Sequence, residues 1–338
     1  MSVKDVYTPA YRIVASGTGW QSDITKKVAD RLIDAAITDV AGVDADQFSM
    51  TLDDRDNAIE WPAKGAKLSI DLGYLETGLV NMGSYIVDEV EYAEPPMTIT
   101  VRCKSADYAN GVLKTQKNRT WPKDITIASI VKKIAAEHGL KPLVSADLAN
   151  IKLPITHQTE ESDLNLLTRL AKDYDAVAKP AGGYLLFVLR GQSRDANGKP
   201  LKTIVIERDG KTEIRVSDAD RHKYKSVVAR YHDTAAAKRQ TVRAGIGEPT
   251  FTLKFAYPNK AQAQAAADAK LKALERQTRV LTVSMPGDPS VVAESPLQVR
   301  GFRSGVNGNW VATKAIHRFS NTGYKTSIED AEQSLNDS

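Results

Sequence analysis

Cysteine is almost absent from the sequence, which contains one cysteine among 338 residues. A single cysteine cannot form an internal disulfide and cannot supply the paired ligands of a CxxC metal site. Cys103 lies in the stretch MTITVRCKS, where it alternates with polar residues in phase with Ile99 and Val101. This period of two is typical of a half-buried strand, so Cys103 is predicted to be a small buried residue rather than a nucleophile.

Long apolar runs and blocks of one charge are also missing. The longest apolar run extends from Tyr184 to Leu189, whereas a membrane-spanning helix needs about 20 apolar residues. The N-terminal stretch MSVKDVYTPAYRIV lacks the apolar segment of a secretory signal, which favours synthesis and residence in a cytoplasm. The net charge is +4, with positive and negative residues interspersed. We therefore expect neither membrane insertion nor specific nucleic-acid binding.

Catalytic motifs are scarce as well. None of the five histidines is followed by glutamate, which excludes the HExxH pattern of zinc hydrolases. The serine of GFRSG stands one place too late for a G-x-S-x-G nucleophile elbow. The glycine-bearing stretches SGTGW and KPAGGY lack the Lys-Ser/Thr pair of a phosphate-binding loop. The sequence thus predicts a protein that is not an enzyme and has no catalytic residues, cofactor or metal ion.

The stretch TLDDRDNAIEW contains a dense cluster of charge. It places five charged residues, Glu60 among them, ahead of a tryptophan, and the loop residues of interest are Asp53, Asp54, Arg55, Asp56 and Trp61. A calcium loop needs acidic residues at alternate positions followed by a glycine, and neither register of this stretch provides them. The residues before it alternate as in a strand, and aspartate commonly satisfies backbone groups in turns. A polar loop at the end of a strand is therefore expected here, not a metal site.

Three regions of the chain differ in their patterns. Residues 1–110 contain short alternating segments separated by glycine and proline, which predicts a first small antiparallel β-barrel. Within it, RLIDAAITDV fits both a helix and a strand, and we favour a strand. Residues 111–215 contain two amphipathic helical patterns capped by Thr126 and Ser162, then two strand patterns around Asn197-Gly198. An α/β module that ends in a hairpin is expected there.

Residues 216–338 return to strand patterns and are predicted to form a second, similar β-barrel. An alanine-rich segment at 259–277 interrupts these strands and is predicted to be an inserted helix capped by Asn259. The first and last regions also share one plan, because YIVDEVEYAEPPMTITVRC and NWVATKAIHRFSNTGYKTSIE both consist of a strand, a short break and a strand. The expected fold class is therefore α+β, with two similar small antiparallel β-barrels flanking an α/β module.

Several stretches, taken in order, resemble the late control D family of phages, the baseplate hub of contractile tails, which is related to the hub part of VgrG proteins. The resemblance begins with SMTLDDRDNAIEWPAKGAKLSIDLGY and continues with GSYIVDEVEYAEPPMTITVRCKSADY and TWPKDITIASIVKKIAAEHGL. It ends with ESDLNLLTRLAKDYDAVAKPAGGYLLFV and NGNWVATKAIHRFSNTGYKTSIE, so that it covers nearly the whole chain. Each motif is a loose pattern, and their ordered combination makes the resemblance specific.

The resemblance implies a homotrimer in which each subunit gives two similar β-barrels to a pseudo-hexameric ring in the tail baseplate of a virion or of a phage-derived tail-like particle. Such a ring would adapt a trimeric central spike to a hexameric tail tube and contact other baseplate proteins and the tape measure protein. Assembly would take place in the cytoplasm of the bacterial host. His317, near Trp310, is expected to face solvent or an interface. The candidate assembly residues are Asp53, Asp54, Arg55, Asp56, Trp61, Trp310 and His317.

Two alternatives remain at this point. The stretch ITIASIVKKIAAEHGLKPLVSADLANIKL is similar to a LysM glycan-binding motif, a small β-α-α-β unit, which would indicate a peptidoglycan-binding tail protein. The other alternative is a hub with cell-wall hydrolase activity. A hydrolase needs an acidic pair or a Cys-His pair, and no segment of the sequence offers one in a recognisable motif.

Overall fold

The computed structural model describes residues 7–42, 45–106, 112–191, 193, 199–220, 223–233 and 236–334. Strands predominate in these residues, and helices are few, so the fold is α+β as the sequence predicts. None of the helices in the described ranges is long and apolar enough to cross a membrane.

Seven strands and one short helix form the N-terminal part. They are β1 (Pro9–Gly17), β2 (Trp20–Asp23), α1 (Thr25–Ala29), β3 (Leu32–Val40), β4 (Gln47–Asp53), β5 (Lys67–Tyr74), β6 (Gly78–Ala93) and β7 (Thr98–Ser105). Alternation decides which side chains enter the core, since Phe48, Met50 and Leu52 of β4 are buried and the residues between them are not. Cys103 of β7 is 2% exposed, which confirms its prediction as a buried residue.

The segment that fitted both a helix and a strand is the strand β3, as predicted. α1 ends just before it, at Ala29. A register shift between Leu32 and Asp34 turns Leu32 into the core and leaves Ile33 48% exposed. This bulge explains the ambiguity, because it breaks the simple alternation at the start of the strand.

The C-terminal strands do not form a separate barrel. They are β15 (Ile204–Glu207), β16 (Glu213–Asp218), β20 (Arg279–Pro286), β21 (Pro296–Arg300), β22 (Gly308–Val311), β23 (Lys314–Ser320) and β24 (Gly323–Gln333). β23 pairs antiparallel with β3, with Phe319 opposite Ala35 and Lys314 opposite Val40. This pairing joins both ends of the chain in one 14-stranded sheet. In the described residues the sheet does not close on itself, so a continuous open sheet stands where two separate barrels were expected.

Two apolar cores lie along this sheet. The first is built from β1 to β7 and receives Phe319 and Tyr324 from the C-terminal hairpin. The ring centroids of Tyr11 and Phe319 are 5.0 Å apart, so aromatic contact holds the hairpin against the N-terminal strands. The second core surrounds Trp310 and is filled by residues of the C-terminal strands and of the loops between them.

The two ends of the chain repeat one strand order. β3, β4, β7 and β6 lie side by side in that order, every pair is antiparallel, and β6 and β7 form a hairpin. β16, β20, β24 and β23 lie side by side in the corresponding order, again antiparallel, with β23 and β24 as the hairpin. Taken in chain order, each set has the arrangement first, second, fourth, third.

The middle of the chain forms a small α/β module with its own core. Its elements are a 3-10 turn (Val112–Lys114), β8 (Gln116–Trp121), β9 (Ile125–Thr126), α2 (Ile127–Glu137), β10 (Lys141–Val144), α3 (Ala146–Ala149), β11 (Lys152–Leu153), β12 (Thr156–Ser162), α4 (Asp163–Asp173), β13 (Ala176–Ala181) and β14 (Tyr184–Leu189). The predicted caps are confirmed. Thr126 Oγ1 accepts from Ser129 N at 3.2 Å, and Ser162 Oγ accepts from Asn165 N at 3.2 Å.

The predicted boundary at residue 215 is wrong, and so is the hairpin before it. β14 pairs with β10 and β13 inside the module, whereas β15 pairs in parallel with β21 of the large sheet. The two strands therefore belong to different sheets, and the module ends near Leu189. Asn197 and Gly198, which suggested the hairpin turn, lie outside the described residues.

The C-terminal part also carries a larger insertion than a single helix. β17 (Ser226–Asp233), β18 (Lys238–Gly245) and β19 (Thr250–Tyr257) form a separate three-stranded sheet in the order β18-β17-β19. α5 (Lys260–Gln277) covers one face of this sheet, and Asn259 caps it, as predicted, by accepting from Gln262 N at 2.9 Å. The strands β17 to β19 had been assigned to the second barrel, and the structure places them in this insertion.

Candidate assembly surfaces

The acidic cluster lies in the loop between β4 and β5, at the end of the strands β3, β4 and β7. Arg31 binds both oxygens of Asp56 at 2.7 Å. Asp54 is 4% exposed, and its carboxylate accepts from Ile59 N at 3.0 Å. Asp53 Oδ1 accepts from Arg55 N at 3.0 Å. Each carboxylate therefore shapes the turn, as the sequence predicts for a polar loop.

Charge in this loop is balanced by neighbours from the chain itself. The hydrogen bond from Arg31 holds the pKa of the Asp56 carboxyl well below its usual range. Arg55 forms an ion pair with Asp53. At the far side of the loop, Trp61 is 59% exposed, so a large apolar surface is open to a partner. The assembly role of these residues stays a prediction.

One cluster in the described residues has the ligand types of a metal site, but cations of the chain already occupy it. Glu137, His138 and Asp163 bring their ligand atoms within 4.8 Å of one another. Lys117 Nζ lies 2.6 Å from Asp163 Oδ2, and Arg119 pairs with both carboxylates. Burial opposes ionisation of Asp163, yet hydrogen bonds from His138 and Lys117 hold its pKa at about 2. These residues form an ion-pair network that ties β8 to α2 and α4.

Trp310 and His317 are not surface residues, and this corrects the sequence analysis. Trp310 is 1% exposed and donates from Nε1 to Val306 O at 3.2 Å. His317 is 0% exposed, with Nδ1 2.8 Å from the Tyr324 hydroxyl and Nε2 2.9 Å from Val291 O. Burial lowers the pKa of His317. Neither side chain can reach another subunit without unfolding of its surroundings.

The sequence analysis missed the free strand edges, two of which belong to the repeated sets of strands. β6 pairs with β5 through residues 78–86 and with β7 through residues 85–93, so the side of residues 88–93 that faces away from β7 has no partner strand in the described residues. β16 pairs only with β20 in the part of the chain that the structure describes. Unpaired backbone groups on such edges are a template for another strand. The signal in the sequence was the length of the β6 pattern, which exceeds that of its neighbours.

The β5-β6 hairpin presents a further exposed apolar surface of the N-terminal part. Leu75 is 71% exposed, and Leu79 and Val80 are 40% and 47% exposed. The tight approach of the two strands depends on Gly73, because a Cβ there would lie 2.2 Å from Gly78 O. Exposed leucine and valine at a hairpin tip indicate a contact site.

A buried lysine connects the α/β module to the large sheet. Lys179 of β13 donates to Val40 O at 3.0 Å and lies 3.2 Å from Asp39 and 3.1 Å from Asp46. Asp39 in turn accepts from Ala293 N at 2.8 Å, so three parts of the molecule meet at this point. Burial and the charge of Asp39 raise the pKa of Asp46 to about 7.

A second charged junction holds the inserted unit. Arg276 of α5 pairs with Asp175, which follows α4, and lies 2.9 Å from Glu332 of β24. A cavity of about 270 Å³ lies beside these residues. Acidic and basic side chains of the module, of α5 and of the C-terminal strands line this cavity, so the junction is polar.

Comparison with known proteins decides the family. The profile of the family described as phage tail baseplate hub (GPD) matches residues 89–323. The chain belongs to the phage tail baseplate hub family. The probable baseplate hub protein of Escherichia phage P2 is 32% identical over 95% of this chain and 92% of its own length.

Solved structures show the same fold. The 43 kDa tail protein of prophage MuSo2 from Shewanella oneidensis has a TM-score of 0.69 at 15% identity, covering 96% of this chain and 98% of that chain. A chain of the Francisella PdpA-VgrG complex has a TM-score of 0.58 at 7% identity, covering 99% of this chain and 54% of that chain. These comparisons confirm the resemblance to late control D and to VgrG. The relatives are structural hub proteins of the tail baseplate, which confirms the prediction that the chain is not an enzyme.

Proposed function

We propose that three copies of this baseplate hub protein form a pseudo-hexameric ring that adapts a trimeric central spike to a hexameric tail tube in a contractile tail. The observation that carries this proposal is the repeated strand order. Each chain supplies two sets of four strands in one arrangement, and three chains supply six sets. A ring with six similar sets on one face and three chains on the other can match partners of both symmetries.

The contact between the two sets within the chain gives a pattern for the contact between chains. Within one chain, β23 of the second set pairs with β3 of the first set. The corresponding strands that are left are β6 of the first set and β16 of the second set, and within the two sets these are the strands with a free edge in the described residues. Pairing of β6 in one copy with β16 in the next would repeat the internal contact and close the ring.

The internal register also sets the register of the proposed seam. Aligning the two hairpins at their turns places Glu89 and Val90 of β6 where Ile316 and His317 stand in β23. Aligning β16 with β3 then places Glu89 opposite Arg215 and Val90 opposite Ile214 of the next copy. The first pair joins opposite charges, and the second joins two half-buried apolar side chains on the core face, so both favour pairing.

The remaining candidate surfaces fit the ends of such a ring. In the proposed ring the strands run along the channel, so the loops at their ends form its rim. One of these loops contains Asp53, Asp54, Arg55, Asp56 and Trp61. The polar face of the sheet, which includes Thr51 and Thr100 with hydroxyls 3.2 Å apart, would line that channel. The proposed partners of this ring are the spike, the tail tube, other baseplate proteins and the tape measure protein. Assembly takes place in the cytoplasm of the host.

The mass of the protein in light scattering, alone and with its trimeric spike, tests the ring. We expect a complex of three hub chains with one spike trimer.

The seam is tested in that complex by introducing cysteines, because native Cys103 is buried and gives little background. The double variant Glu89→Cys with Arg215→Cys should form covalent trimers on oxidation. Glu89→Cys with Glu207→Cys, whose second cysteine lies on β15, is the matched control. A hub that stays monomeric beside the spike contradicts the ring, and a trimer without cross-links contradicts only this seam.

A second candidate function rests on the middle of the chain. The LysM-like stretch folds as β9, α2, β10, α3 and β11, and its outer strands β9 and β11 pair antiparallel. This order contains the β-α-α-β plan of the motif, with one added strand. Retention on purified peptidoglycan would favour glycan binding, whereas a purely structural hub should remain in the supernatant.

A further inference from the structure

The inserted unit leaves one face of its sheet uncovered. Side chains at Val227, Ala229 and Tyr231 of β17 point to α5 and are buried in the core of the unit. The alternate positions of β17 and β18 point the other way and are mostly exposed. α5 itself faces inward, because it packs against α4 and binds Asp175 through Arg276. The open face therefore points away from the module.

Three arginines form a stripe on this open face. The register of β17 and β18 places Arg243 opposite Val228, Arg230 opposite Thr241, and Arg239 opposite His232. The arginines therefore occupy three successive rows of the same face and alternate between the strands. Successive rows lie roughly 7 Å apart, since each is two residues further along a strand.

These arginines have no acidic partners in the described residues. Arg243 donates to Ser226 Oγ at 3.2 Å, and no carboxylate pairs with Arg230, Arg239 or Arg243. Some arginines at exposed sheet positions are paired across strands, as Arg102 is with Glu91 at 2.6 Å and Arg300 with Glu207 at 2.7 Å. Arg215 and Arg318 are exposed on their strands and have no ion pair in the described residues. The open face differs from those single positions because it places three unpaired arginines on successive rows.

The same unit carries the two most exposed large apolar side chains of the described residues. Ile246, after β18, is 92% exposed, and Phe255 of β19 is 78% exposed. In the part of the chain that the structure describes, β19 is also an edge strand, because it pairs with β17 alone. Ala256 lies opposite Arg230 on the open face, so the adjacent Phe255 points to the other face. Ile246, three residues after Arg243, is therefore the exposed apolar side chain at the end of the arginine stripe.

We propose that this face docks an extended acidic segment of a partner protein, with carboxylates at alternate positions opposite Arg239, Arg230 and Arg243. Side chains that point to one face of an extended segment are also roughly 7 Å apart, so the carboxylates match the rows. Guanidinium groups bind carboxylates through paired hydrogen bonds. An apolar residue of the partner covers Ile246, for which a nucleic-acid backbone offers no apolar surface. This docking is independent of the subunit seam proposed above.

Fluorescence anisotropy with the full-length chain tests the docking. The probe is a labelled peptide of about twelve residues in which glutamate alternates with valine and leucine. We expect saturable binding that weakens as salt is raised. The variant with Arg230→Ala, Arg239→Ala and Arg243→Ala should bind about tenfold more weakly, as three exposed ion pairs are lost. Ile246→Ser should weaken binding without changing the salt dependence.

Three controls separate specific docking from general charge attraction. The variant with Arg208→Ala, Arg303→Ala and Arg318→Ala loses the same charge elsewhere and should bind as the parent does. A peptide of the same composition with its glutamates in one block should bind more weakly. Equal loss in both arginine variants, or equal binding of both peptides, overturns the proposal. Tighter binding of a DNA duplex through the same three arginines would also overturn it and would identify a nucleic-acid surface.

Discussion

At the scale of the residue, burial in β23 depends on which face of the strand a side chain occupies, not on the polarity of nearby residues. His317 was expected at the surface because Lys314 and Ser320 flank its strand. It shares its face with Ala315 and Phe319, however, and both of these are buried. Comparison with the residues two positions before and after it therefore predicts that His317 lies in the core. The same reasoning placed Cys103 correctly.

Buried charge makes Lys179 a key residue for stability. Lys179→Met keeps most of the side-chain volume but leaves Asp39 and Asp46 close together without their cation. We expect the free energy of unfolding to fall by about 3 kcal/mol, because removing one partner of a buried ion pair leaves the other uncompensated. Urea unfolding followed by circular dichroism measures the change. Lys172→Met, at an exposed position of α4, should shift stability by less than about 0.5 kcal/mol. Similar values for both variants would contradict this role of Lys179.

At the scale of the element, local sequence patterns and local structure agree well. The caps at Thr126, Ser162 and Asn259 form as predicted, because a cap is decided by residues three positions apart. Strand positions were predictable for the same reason. Partner strands were not, as β14 and β15 show by entering different sheets. Pairing depends on which edges meet in the folded chain, and alternation within one strand does not specify this.

The β5-β6 hairpin provides a test at this scale. Gly73→Ala would place a methyl group 2.2 Å from Gly78 O, which is backbone and cannot rotate away. We expect a loss of about 1–3 kcal/mol in unfolding free energy, the usual cost of overpacking. Gly17→Ala on β1 is the matched control, since its nearest neighbour is the half-exposed Trp20 side chain, which can move. Thermal unfolding of the two variants should separate them clearly, and equal midpoints would show that the hairpin adapts freely.

At the scale of the whole molecule, the chain consists of a repeated sheet with two insertions. The α/β module and the inserted unit each have a separate core, whereas the strands around them share one sheet. The inserted unit leaves and rejoins the sheet at one place, because Asp218 at the end of β16 lies directly opposite Arg279 at the start of β20. The second repeat is therefore complete without the unit.

Removal of the inserted unit should leave the rest of the chain folded. In the deletion variant, an Asn-Gly turn replaces residues 219–278 and joins β16 to β20 as a tight hairpin. We expect a monodisperse protein with a cooperative thermal transition. Its midpoint should be lower than that of the parent, because Arg276 no longer pairs with Asp175 and α4 loses its neighbour α5. Loss of cooperative unfolding would show that the unit is needed for the sheet to form. The deletion should also abolish binding of the acidic peptide.

The sequence by itself determined the α+β class, the positions of most strands, the helix caps and the polar nature of the Asp53 to Asp56 loop. These features depend on residues a few positions apart, whose side chains and backbone groups satisfy one another locally. Tertiary structure alone decided that β3 and β23 join both ends of the chain in one sheet, that Trp310 and His317 are buried, and that β6 and β16 keep free edges. These features depend on contacts between residues that are distant in sequence, and an alternating pattern fits many partners equally well.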